Sequence, residues 1–137
     1  MNRDDFIRLA RLRLRDARVL LRNGNYEAAY YLCGHAVECG LKACIAKQTR
    51  RYDFPDKKTV DASYTHNLTE LVRVAQLGQV LKRRSRLDPK FDLNWTVVKD
   101  WSTNSRYEFK SNKEARDLYS AVTSRTHGVM RWIRQNW

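Results

Sequence analysis

The sequence predicts an all-α fold, an up-and-down helical bundle of four main helices plus a short additional helix, and three observations carry that prediction. Only 5 Gly and 2 Pro interrupt 137 residues, too few turn formers for a sandwich or barrel. Apolar residues recur every three or four positions through several long segments, the period of a helix face. Residues that start and stop helices bracket those segments. The length suits a single domain over 1–137, large enough to bury a core and too short for two.

The first helix covers about residues 3–22, with Phe6, Ile7, Leu9, Ala10, Leu14, Ala17, Leu20 and Leu21 on one broad apolar face. Asp4 and Asp5 complement its N-terminus, and Asn23-Gly24-Asn25 stops it. A second helix follows over about 26–48, and the short connection makes an antiparallel hairpin of the pair. Its apolar face holds Tyr26, Ala29, Tyr30, Cys33, Ala36, Val37, Gly40, Leu41 and Cys44, with Glu27, Tyr31, His35, Glu38 and Lys42 opposite. Gly40 lies mid-face, where it lets a neighbouring helix approach closely.

Residues 49–66 break the periodicity and read as a polar loop. A third helix begins near Asn67, with Glu70 as a capping-box partner and Leu68, Leu71, Val72 and Ala75 inward. The basic cluster Lys82-Arg83-Arg84-Ser85-Arg86 precedes Pro89. A short helix follows at about 93–101, where Trp95, Val98 and Trp101 keep helical spacing. Arg106-Tyr107 falls in the next loop, and Ser111 with Glu114 caps a last helix over about 112–135. Its inward positions are Ala115, Leu118, Tyr119, Val122, Val129 and Ile133.

Charge narrows the function. The chain carries 27 Lys+Arg against 15 Asp+Glu, a formal net charge of +12. Arginine leads, and its planar fork matches phosphate oxygens where lysine is a point charge. Such an excess favours polyanions, nucleic acid first and an anionic membrane second, with an acidic protein or simple solubility as the alternative. Placement says more: Arg8, Arg11, Arg15, Arg18 and Arg22 repeat at spacings of 3, 4, 3 and 4, one stripe opposite the core face of the first helix. At 1.5 Å per residue it runs about 20 Å. No apolar run suits a membrane span and the N-terminus lacks the pattern of a signal peptide, so a soluble, cytoplasmic protein is expected.

Cys33, Cys39 and Cys44 share one helix, an odd count that builds no disulfide framework. Only His35 and Cys39 are spaced as metal ligands, short of the four a zinc site needs, so neither metal nor cofactor is expected.

Several motifs together resemble a family. The segment GNYEAAYYLCGHAVECGLKACI, residues 24–45, holds a Gly-x-Tyr-x-x-Ala turn and Ala-Val-Glu-x-x-Leu-Lys-Ala. Thr65-His66-Asn67-Leu68 followed by Leu71, and Arg106-Tyr107 before the last helix, come in the expected order. This set resembles HEPN domains, the higher eukaryotes and prokaryotes nucleotide-binding family, over nearly the whole chain. The resemblance implies a compact helical bundle, usually a homodimer, working beside a small nucleotidyltransferase in toxin–antitoxin or phage-defence operons. Many members are metal-independent ribonucleases marked by an Arg, four to six residues and a His. Here Arg106 is followed at 111–113 by Ser111, Asn112 and Lys113, so that nuclease motif is missing.

The sequence therefore proposes three readings. The first is a HEPN-like module that dimerises and binds RNA, or a nucleotide or nucleotidyltransferase partner, through Arg8, Arg11, Arg15, Arg18, Arg22, Tyr31, His35, Glu38, Lys42, Arg106 and Tyr107. The second is an endoribonuclease with a non-standard base, its candidate catalytic residues His35, Arg106 and His127. The third is a pure interaction dimer that recruits an acidic protein. For Tyr31, His35, Glu38 and Lys42 a solvated or dimer-facing polar stripe competes with a nucleotide pocket. His66 is expected to cap the third helix or touch the Arg106-Tyr107 loop.

Overall fold

A computed structural model of the chain describes residues 1–49 and 54–137. The fold is all-helical, with no strand among the described residues. Eight helices follow in order: α1 (Arg3–Arg22), α2 (Tyr26–Gln48), α3 (Lys57–Ala62), α4 (Leu68–Val74), α5 (Gly78–Leu87), α6 (Pro89–Lys99), α7 (Asn112–Thr123) and α8 (Val129–Arg134). A 3-10 turn, Thr103–Tyr107, precedes α7.

The hairpin forms where the spacing puts it. Asn2 and Asp5 close a capping box at the start of α1, and Gly24, at φ +77, makes the turn that other residues rarely adopt. α2 is the central element, packed against α1, α4, α7 and α8. Buried residues surround it on nearly every side: Ala29, Cys33, Ala36, Val37, Leu41, Ala43 and Cys44 join Glu38 and Cys39 out of water. Its two mid-helix glycines serve this crowding. A Cβ on Gly40 would lie 2.9 Å from the Ile133 side chain of α8, the close approach expected there. A Cβ on Gly34 would lie 2.2 Å from the Trp101 indole, which rests directly on the α2 backbone.

Three expectations require correction, and one unassigned segment proves helical. The polar loop expected over 49–66 contains α3, started by Asp56, whose carboxylate accepts from the Thr59 amide at 3.1 Å; residues 50–53 lie outside the described part. The basic cluster at 82–86 lies within a helix, α5, on whose buried side Leu81 packs against the core. The short helix starts earlier than 93, at Pro89, because Asp88 caps the Phe91 amide at 3.1 Å and proline suits the first helical position. The last helix is two helices. The chain turns out at Ser124 (ψ 131) and re-enters at Gly128, where a Cβ would meet the Ser124 carbonyl at 2.4 Å.

Elsewhere capping follows the sequence. Ser111 and Glu114 form both halves of their box. Asn67 caps Glu70 at 3.0 Å, but the Glu70 carboxylate turns to Arg73 at 2.9 Å and leaves that box half made. Trp95, Trp101 and Trp132 are core residues, and Trp137 packs half-buried at the end of the chain. All three cysteines are buried and free.

The Gly34–Trp101 contact yields a test. Gly34→Ala should destabilise the fold by about 2 kcal/mol or more, since overpacking a filled core forces neighbours to move. Combining it with Trp101→Leu should cost less than the sum of the two, read as non-additive urea midpoints.

Candidate nucleic-acid interface

Polar chemistry concentrates first at Glu38. Its carboxylate is buried on α2, with Lys42 Nζ at 3.0 Å one turn on, His66 Nδ1 at 2.7 Å, and His35 Nδ1 at 3.6 Å. His66 therefore reaches neither its own helix cap nor the Arg106-Tyr107 loop. It donates across 28 positions to α2 and ties the start of α4 to the central helix. Burial alone would raise the Glu38 carboxyl, but hydrogen bonds from His35, His66 and Lys42 outweigh it and hold the group at about 2. The Cys39 sulfur, 3.8 Å from Nε2, and the Glu38 carboxylate both favour imidazolium at His35, which is pushed up to about 9 against the opposing effect of burial. At neutral pH Glu38 is ionised and His35 protonated. Neither titrates where a general base must.

An aromatic ladder leads away from this cluster. The His35 ring stacks parallel to Tyr31, centroids 6.3 Å apart, and Tyr31 meets Trp101 at 5.9 Å. Beyond Trp101 comes the 3-10 turn, which packs against α2 and has Ser105 buried. Arg106 and Tyr107 project from its far end into solvent, the guanidinium 5.0 Å over its neighbour's ring. Tyr31 and His35 are thus brought together with Glu38 and Lys42. Glu38 is no solvated stripe residue, and Lys42 gives its charge to Glu38.

The third histidine belongs to another part of the fold. His127, in the segment between α7 and α8, sets Nδ1 2.7 Å from Asp88 Oδ2, while its carbonyl accepts from Asn94 Nδ2 at 2.9 Å. That hydrogen bond, ahead of the amide of Phe91 and the charge of Arg84, holds the Asp88 carboxyl below its ordinary value. Its ring lines a groove of about 480 Å³ with Lys90, Ser120 and Ser124. The partner carboxylate was hidden in the sequence because Asp88 reads only as a residue before proline.

The stripe on α1 forms as the spacing requires. Arg8, Arg11, Arg15, Arg18 and Arg22 are all exposed, and among the described residues none joins an ion pair. Arg13, on the flank, is neutralised by Asp16 at 2.6 Å. Arg11 lies 5.5 Å over the Trp137 ring.

A family model for the HEPN domain matches residues 4–136, nearly the whole chain. The chain belongs to the HEPN family. No match to a curated protein or to a solved structure accompanies it. HEPN domains are a nucleotide-binding and ribonuclease-type family. The positions where a nuclease histidine would follow Arg106 are all committed to starting α7. Ser111 is the cap, Asn112 Oδ1 accepts from Arg116 Nε, and Lys113 is ion-paired with Asp117 at 2.6 Å. The pairing with Asp117 raises Lys113, so it stays charged and supplies no base. Among the described residues of this HEPN chain no helix is long and apolar enough to cross a membrane.

The Glu38 cluster fixes a pH profile. A depressed carboxyl stabilises fully above its unfolded value of 4.5 and loses that contribution as pH falls towards about 2. A raised histidine stabilises fully below 6.5 and loses its contribution as pH climbs through about 9. Glu38→Gln should cost about 3 kcal/mol at pH 7, because Lys42 and His35 lose their counterion. It should also flatten the acid limb, and His35→Gln the alkaline limb, in urea denaturation from pH 3 to 10. An acid limb unchanged in Glu38→Gln would remove the cluster from this role.

Proposed function

We propose that this HEPN protein is a binding module for single-stranded RNA, acting as a cytoplasmic homodimer in a toxin–antitoxin or phage-defence setting beside a nucleotidyltransferase. One observation carries the reading: five exposed arginines in a row, with no carboxylate partner among the described residues, on the outer face of the longest exposed helix. Like charges at this density repel one another in the free protein. Phosphates along a strand relieve that repulsion and release counterions. Arg106 and Tyr107, exposed together, add a phosphate fork and a stacking surface.

Five phosphate contacts to a single strand predict an affinity that falls about a hundredfold between 50 and 200 mM salt. Arg11→Glu with Arg18→Glu should lower affinity and reduce the magnitude of the slope of log K against log salt by about 1.4, two contacts' worth. Fluorescence anisotropy with a labelled oligoribonucleotide measures both. A salt-independent affinity, or one indifferent to the double substitution, would defeat the RNA reading.

A second reading, a metal-independent endoribonuclease, has the His127–Asp88 pair in its favour. A histidine oriented at Nδ1 by a carboxylate in an open groove is the arrangement of a general base. Under it, purified protein cleaves RNA in the presence of a chelator and His127→Ala abolishes the cleavage. RNA left intact by the unmodified protein would set this reading aside.

A further inference from the structure

The stripe does not end on α1. At its C-terminal end Arg18 and Arg22 line a groove of about 280 Å³ together with Arg116, Tyr119 and Ser120 of α7, floored by buried Leu21. Arg116 was not part of any motif in the sequence; only the packing of α7 beside α1 brings it here. Three arginines from two helices thus line one cleft, and no carboxylate lines it among the described residues. The nearby acids of α7 are engaged elsewhere. Asp117 pairs with Lys113 at 2.6 Å and borders a different groove, and Glu114 lies 3.5 Å from Lys110. Arg116 is also preset. Its Nε is held by Asn112 Oδ1 one turn back, which leaves the outer edge of the fork for an oxyanion. Tyr119, packed against the core, supplies a rigid wall, and Ser120 a hydroxyl.

We infer that this groove holds the terminal phosphomonoester of an RNA strand whose remaining phosphates run along the α1 arginines. The inference rests on the RNA reading above and adds to it an end-recognition site. The charge arithmetic selects a chain end: a phosphomonoester carries about −2 and three free oxygens at neutral pH, against one charge for an internal diester. Three forks around one small cleft suit the former, while the single row on Arg8, Arg11 and Arg15 suits the latter. A 5′ or a 3′ terminal phosphate presents the same chemistry, so the two are separated by experiment.

Three oligoribonucleotides of one sequence serve as probes, with a 5′-phosphate, a 3′-phosphate, or hydroxyls at both ends. One phosphorylated strand should bind about tenfold tighter than the unphosphorylated strand. Arg116→Gln should erase that gap, and Arg116→Lys, which keeps the charge without the fork, should restore only part of it. Arg8→Gln should weaken all three strands alike. Equal affinities for all three, or a gap that survives Arg116→Gln in a protein with unchanged thermal unfolding, overturns the site and leaves the RNA reading standing. Inorganic pyrophosphate covers the converse case. Binding of pyrophosphate that is lost in Arg116→Gln, in a protein that binds no RNA, upholds a phosphate site at the groove and overturns RNA as its source.

Discussion

A buried carboxylate in a helical protein sets strict demands on its surroundings, and Glu38 sets them here. It lies on the central helix, where desolvation disfavours its charge, and the charge survives because Lys42, His66 and His35 are held against it. The net contribution of such a cluster to stability is modest, since each ion gives up water to enter it. Its effect on arrangement is larger. Only one placement of the segment before α4 brings His66 to Glu38, so the carboxylate fixes where the chain returns after α3. The same crowding around α2 requires Gly34 beneath Trp101 and Gly40 beneath Ile133. Trp101 in turn positions the 3-10 turn that carries Arg106.

The rest of the charge is distributed by subtraction. Acidic groups on the surface are taken up locally: Asp5 and Glu114 in capping boxes, Asp56 and Asp88 in caps, Asp16, Glu70 and Asp117 against a basic neighbour three or four residues away. What remains positive is therefore not spread evenly. It includes the outer face of α1 and Arg116 of α7 beside it, where the five stripe arginines and Arg116 are exposed and join no ion pair among the described residues. A net charge of +12 allows any anion. The row of exposed arginines, ending at a cleft lined by Arg18, Arg22 and Arg116, is what the proposed RNA reading rests on.

Legibility in the sequence followed the physics of each segment. The hairpin was readable because α1 is amphipathic and Asn23-Gly24-Asn25 has only one use. α5 was not, because Lys82, Arg83, Arg84 and Arg86 mask an inward side carried mainly by Leu81. The break between α7 and α8 escaped because Val122 and Val129 are seven apart, two turns of an unbroken helix, so the apolar period runs across it undisturbed. Gly128 was the available signal. Glu38 was misplaced for a different reason: period arguments assume a helix with a wet side, and α2 has almost none. Its small residues, cysteines and two glycines mark a helix enclosed on all sides. The groove with Arg116 could not be read at all, since it depends on which helix lies beside the stripe.

The histidines and the α1 arginine row lie on different elements of this fold. Cleavage of RNA by a protein needs a base that titrates near neutrality beside the groups that hold the phosphate. The arginine row is on α1 and α7. His35 and His66 are drawn into the Glu38 cluster on α2 and the approach to α4, and His35 is held as imidazolium there. The three positions after Arg106 that would bring a histidine to a phosphate build the start of α7 instead. His127 alone retains the geometry of a base, and it lines a groove on α6 and α7 whose residues include none of the stripe arginines. The α1 row is thus separate from His35 and His66, while Ser120 of α7 lines both the groove of His127 and that of Arg116, so the two readings meet on one helix.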